Sequence, residues 1–113
     1  MASRRLMKER SKLEAAPLEF CPVISLSGDD LFQWECHVLG PVESPYAGGT
    51  FVLKLEFPAQ YPFKAPTIRF ATKVYHPSVN LQSGEVCAAI VGTWSPTLDA
   101  KHCLQGVYSM LQS

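Results

Sequence analysis

From residue 50 to residue 57, Phe51, Leu53, Leu55 and Phe57 alternate with Val52, Lys54 and Glu56. A period of two places one set of side chains on one face of a strand. The segment 50–57 is therefore predicted as a β-strand with a buried face. Three more strands are expected at 20–26, 31–39 and 67–71. In 31–39 the apolar series Phe32, Trp34, Val38 is blurred, because either Cys36 or His37 can continue it. The punctuation is clear. Ser27-Gly28-Asp29-Asp30 is a turn, Gly40-Pro41 ends a strand, and Tyr46-Ala47-Gly48-Gly49 makes a tight return. Pro58, Pro62 and Pro66 forbid a helix and stiffen the loop between the last two strands. Tyr61 in that loop is a candidate core plug. Phe63 is either another plug or an exposed docking aromatic.

A different period frames these strands. Residues 3–15 read as a helix whose apolar stripe is Leu6, Met7 and Leu13, extended by Met1, and whose remaining faces carry charge. Arg5 and Glu9, and Arg10 and Glu14, are spaced to pair. Pro17 closes the segment. Residues 99–111 read as a second helix with Leu104, Val107, Tyr108 and Leu111 on the buried side, capped by Thr97 or Asp99. The order is helix, four strands, helix. It predicts an α+β fold in which a four-stranded antiparallel meander carries a helix on one face.

Composition narrows the function. The chain has 113 residues, enough for a single domain over 1–113. It is 47% apolar and 18% charged, with ten basic residues against ten acidic ones. Such neutrality gives no electrostatic footprint for nucleic acid. The basic start has no long apolar run after it, so neither a leader nor a membrane span is expected. Cys21, Cys36, Cys87 and Cys103 lack the paired spacing of a zinc site, and no metal or other cofactor is expected. Free thiols in a cytosolic setting are the expected state, three of them as small buried hydrophobes.

Cys87 stands apart, because it follows a glycine-containing turn in the irregular stretch 75–96. A thiol is a strong nucleophile and also a good leaving group in acyl transfer. Three readings remain open on the residues alone: nucleophile, structural thiol (the commonest fate of such a residue), and ligand or redox thiol. A hydrolase would need a placed imidazole base, and neither His76 nor His102 is placed by spacing. Acyl transfer also needs donors for a developing oxyanion. Ser78, Asn80, Gln82 and Ser83 precede the cysteine, although each equally suits capping its own turn. His76 followed by Pro77 suits fixing a loop through a ring nitrogen.

The run GDDLFQWECHVLGPVESPYAGGTFVLKLEFPAQYPFKAPTIRFATKVYHP, then Gly84-Glu85-Val86-Cys87, then Trp94-Ser95-Pro96 ahead of a helix, resembles the ubiquitin-conjugating enzymes. The resemblance covers essentially the whole chain. It implies that Cys87 accepts ubiquitin or a ubiquitin-like protein from an activating enzyme, as a thioester. It further implies delivery to a substrate lysine with a ligase present, and no cofactor. By the same resemblance Ser78, Asn80 and His76 belong to the catalytic loop. Arg5 and its basic neighbours dock the activating enzyme and ligase, Phe63 and Pro96 contact the ligase, and the face bearing Val23 is a backside surface for ubiquitin.

Departures from the family pattern are equally specific. His76-Pro77-Ser78 stands where the family has His-Pro-Asn, and Ala88-Ala89 stands where Leu-Asp is usual. The segment between Ser78 and Cys87 is one residue longer than in many members, a length shared with a peroxisome-associated branch. The family core continues past residue 113 with a flanking loop and two helices, so the chain reads as a truncated core. Two functions follow as expectations: an active conjugating enzyme, and a weak or inactive variant that serves as a binding module in the ubiquitin pathway. The location implied is cytoplasmic or nuclear, with the peroxisomal surface as the outlying option.

Overall fold

A computed structural model describes residues 2–112. Its elements are α1 (Ala2–Ala15), β1 (Val23–Ser27), β2 (Asp30–Leu39), β3 (Thr50–Glu56), β4 (Thr67–Phe70), a 3-10 turn (Ala88–Val91) and α2 (Ala100–Gln112). The strands form one antiparallel sheet in the order β1-β2-β3-β4. Its register sets Leu26 beside Trp34, Cys36 beside Leu53, and Leu55 beside Ile68. A single apolar cluster joins these inward residues to Leu6 and Leu13 of α1 and to Cys103, Leu104, Val107 and Leu111 of α2. Among the described residues no helix is long and apolar enough to cross a membrane.

The expected alternation holds in β3, where Leu53, Leu55 and the following Phe57 point inward. In β2 the ambiguity resolves to Cys36. Trp34, Cys36 and Val38 are buried, and His37 faces out beside Glu35 at 3.4 Å. Trp34 keeps its indole N–H satisfied by donating to the Leu31 carbonyl. The first strand is shorter than 20–26. Pro22 lacks an N–H for the ladder, and a local Leu18–Cys21 bridge replaces regular pairing. Phe20 nonetheless accepts a hydrogen bond from Leu39 N and stacks on the half-buried Tyr108.

One helix expectation is corrected and one open choice is resolved. Met7 does not share the buried stripe and is 60% exposed. The buried set is Ala2, Leu6 and Leu13, which recur at helical spacing, while Met7 falls one step around the cylinder. Met1 lies outside the described residues. At α2 the cap is Asp99, whose Oδ1 accepts from His102 N. Thr97 instead binds Ser95. The expected pairs Arg5–Glu9 and Arg10–Glu14 both form, at 2.9 and 3.2 Å.

Burial bears on pH response. Burial, followed by the nearby charges of Asp99 and Glu9, pushes the Cys103 thiol up to about 12. A hydrogen bond with Cys21, then burial, holds the Cys36 thiol well above its usual range, and burial with the Glu9 hydrogen bond raises Tyr61. Cys21 moves the other way, chiefly through that same bond, and offsets part of the effect. The unfolded chain releases these thiol protons from about pH 9, whereas the folded chain keeps them to higher pH. Stability is therefore fully present below pH 9 and falls as pH rises toward 12. Urea midpoints should drop steadily between pH 8.5 and pH 10.5. A flat profile would contradict this assignment.

Candidate active site

The segment around Cys87 is more regular than its sequence suggests. Val86 N donates to Ile68 O and Phe70 N to Gly84 O, both at 2.8 Å, so residues 84–86 add to the free edge of β4. On their far side Cys87 N donates to Ser78 O at 2.7 Å and Asn80 N to Glu85 O at 2.9 Å. Val79 and Val86 form the bridge between those bonds, and both are buried. The loop before the cysteine is thus a small hairpin laid against the sheet. Gly84 permits it, with φ at +79° and no side chain to meet the Phe70 carbonyl.

The tip of the hairpin is closed by its own polar residues. Asn80 Oδ1 accepts from the N–H groups of Gln82 and Ser83, each at 2.9 Å, and Ser83 Oγ accepts from Glu85 N. The turn-capping role anticipated for such residues is realised at Asn80 and Ser83.

Both flanks of Cys87 are bonded to α2. Upstream, His76 Nδ1 accepts from Ser78 N at 3.0 Å, and His76 Nε2 meets the Met110 carbonyl at 3.1 Å. Those partners require a proton on Nε2 and none on Nδ1. Downstream, the 3-10 turn begins with Ile90 N donating to Cys87 O. His102 Nε2 then donates to Val91 O at 2.8 Å. Gly106 lets the turn approach, because a Cβ there would lie 2.9 Å from Ile90 O. The sequence offers His102 only as an imidazole whose position spacing does not fix, and Gly106 is not singled out there. The only cue was an imidazole and a glycine four residues apart on one helix.

Between these anchors Cys87 is exposed, whereas Cys21, Cys36 and Cys103 are buried. Among the described residues no carboxylate or imidazole is hydrogen-bonded to its sulfur. The arrangement presents a thiol on a stiff support, open to a large acyl donor. It lacks the paired base of a cysteine hydrolase.

The model of the ubiquitin-conjugating enzyme family matches residues 5–113 of the chain. The chain belongs to the ubiquitin-conjugating enzymes. Among solved structures, human ubiquitin-conjugating enzyme E2 G1 is 32% identical, with a TM-score of 0.92 over 99% of this chain and 95% of that one. A putative ubiquitin conjugating enzyme from Plasmodium yoelii is 30% identical, with a TM-score of 0.90 over 99% of this chain and 73% of that one.

Within this conjugating-enzyme fold, the residues expected to meet partners fall into two groups. Phe63 resolves as an exposed aromatic, 73% accessible, while Tyr61 is the core plug. Trp94 Nε1 donates to Pro62 O at 2.7 Å, tying the loop of exposed Pro96 to the loop of Phe63. Arg5 reaches the same region, because one Nη donates to Leu98 O at 2.7 Å. Its Nε binds Glu9 and its guanidinium lies over the Tyr61 ring, so two of its donors are engaged within the protein. Val23 is separate, half-exposed on the outer sheet face opposite His37.

Glu9 was read from the sequence only as the partner of Arg5. It also accepts from Tyr61 Oη at 2.7 Å and from Ala100 N at 2.8 Å. One carboxylate therefore joins α1, the proline loop and the first turn of α2.

Proposed function

We propose that the chain is an active ubiquitin-conjugating enzyme in which Cys87 accepts ubiquitin, or a ubiquitin-like protein, as a thioester and passes it to a substrate lysine. The observation that carries this reading is the exposed Cys87, held on both flanks to α2 while the other three thiols are buried. An acyl carrier needs that combination of reach and fixed geometry. His76 holds the loop, and Ser78, opposite Cys87 across the hairpin, supplies a hydroxyl near the developing oxyanion. Asn80 contributes its amide end, since its oxygen is engaged by the turn. Arg5, Phe63 and Pro96 dock the activating enzyme and ligase, and Val23 marks a backside surface for ubiquitin. Four free cysteines suit a reducing location in cytoplasm or nucleus.

A second reading draws on Ser78, Ala88 and Ala89, which stand where the family carries Asn and Leu-Asp. With one oxyanion donor fewer, transfer falls by about a hundredfold, and the fold then serves as a binding module. One reaction separates the two. Incubation with activating enzyme, ATP and ubiquitin should give a reductant-sensitive adduct, which Cys87→Ser converts to a reductant-stable ester or abolishes. No adduct with ubiquitin or any ubiquitin-like protein would leave only the binding module.

A further inference from the structure

We infer that the Glu85 carboxylate receives the acceptor lysine beside Cys87, and so supplies the acidic group that Ala88-Ala89 lacks. The inference rests on the reading of Cys87 as the thioester carrier. It starts from the hairpin register. Val79 and Val86 pair across the two strands and are both buried. Successive side chains on a strand point to opposite faces. Ser78 and Asn80 on one strand, and Glu85 and Cys87 on the other, therefore share the outward face. Glu85 and Cys87 are both exposed, with Val86 buried between them. At about 3.3 Å per residue their backbones are roughly 6–7 Å apart, a gap that a lysine head group can fill.

The surroundings single Glu85 out. From residue 78 to residue 92 it is the one carboxylate in the chain. The other polar neighbours, Ser78, Asn80 and Ser83, are uncharged. Its backbone is held on both sides, with N–H donating to Ser83 Oγ and the carbonyl accepting from Asn80 N. Arg69 is its bridge partner on β4, but that guanidinium is turned to Glu56 at 3.7 Å. Among the described residues Glu85 takes part in no ion pair within 4 Å. An anchored, exposed carboxylate without a cation stands next to a thiol.

The chemistry calls for such a group. A lysine arrives as an ammonium and must lose a proton before it can attack. Glu85 draws the cation to the thioester. The ammonium gives one proton to water, and the amine nitrogen then bonds to the carbonyl carbon. As it does so, its second proton passes to the Glu85 carboxylate. The carbon–sulfur bond breaks, Cys87 leaves as thiolate, and Glu85 returns that proton to the sulfur. An amide and a free thiol result, with one proton released to solvent.

The test uses the full chain charged with ubiquitin, followed after removal of ATP by discharge to free lysine or to hydroxylamine. Hydroxylamine is uncharged at neutral pH and needs no carboxylate to attract it. Glu85→Gln should slow discharge to lysine by about tenfold and slow discharge to hydroxylamine clearly less, because the uncharged acceptor loses only the proton relay and not the attraction. Glu85→Asp should restore part of the lysine rate. The deficit of Glu85→Gln should shrink as pH rises toward 9.5, where more of the lysine is already neutral. Unchanged lysine discharge in Glu85→Gln overturns the assignment, and so does equal slowing with both acceptors, which marks a disturbed loop. A wild-type chain that never charges overturns the parent reading as well, and that failure appears before any discharge is measured.

Discussion

Gly84→Ala should unfold the hairpin that carries Cys87. A Cβ at this position would sit 2.2 Å from the Phe70 carbonyl oxygen, and φ is +79°. Left-handed backbone costs an alanine about 1–2 kcal/mol. The backbone oxygen cannot retreat while Phe70 N donates to Gly84 O. Relief of the clash breaks that bond and strains the neighbouring one from Val86 N to Ile68 O, each worth about 1 kcal/mol. The combined loss is about 3 kcal/mol, which lowers the melting temperature by roughly 10 °C or more in a domain of this size. Local detachment of residues 84–86 from β4 is the cheaper escape. The amide of Val86 should then lose its protection from hydrogen exchange before the sheet does. A Gly84→Ala chain that melts within a degree of the wild type, with Val86 still protected, would refute the packing argument.

Glu9→Ala comes next in size. Its carboxylate is 12% exposed and accepts from Arg5, Tyr61 and Ala100 at once. Truncation strands the Tyr61 hydroxyl beneath the proline loop and an N–H at the start of α2. It also removes a negative charge from the end of the helix where backbone N–H groups point outward. Loss of a charged partner from such a network costs about 3 kcal/mol. Glu9→Gln keeps an acceptor of the same shape and should cost about a third of that. Urea midpoints of the two variants measure the difference. Equal midpoints for Gln and Ala would show that the charge, not the hydrogen bonding, holds the joint. On the proposed function the joint also sets the docking surface, because Arg5 and Phe63 lie on two of the segments it connects and Pro96 lies just ahead of the third.

These two residues differ in how far they can be read from the chain. Glu9 four residues after Arg5 announces a helical pair, but its bond to Ala100 N spans 91 positions. Gly84 announces a turn, but its closeness to Phe70 depends on which strand lies alongside. The same division runs through the active site. Cys87 after a glycine turn, ahead of Trp94-Ser95-Pro96, marked the candidate thiol and the family. That its flanks are both fastened to α2, through His76 and His102, came from packing alone. Neither histidine lies near Met110 or Val91 along the chain in any pattern that periodicity reveals.

By itself the sequence determined the two helices, the four-strand order and the inward face of β3, because alternation and helical spacing are local properties of the chain. It also determined the family, because Tyr75-His76-Pro77 and the cysteine loop are contiguous strings. Only the tertiary structure decided that Cys36 rather than His37 faces the core, that Met7 is exposed, and that Phe63 stands in solvent. It alone decided that Glu85 and Cys87 share one face. Those outcomes depend on which surface each residue meets across the fold, and local periodicity carries no information about the opposing side.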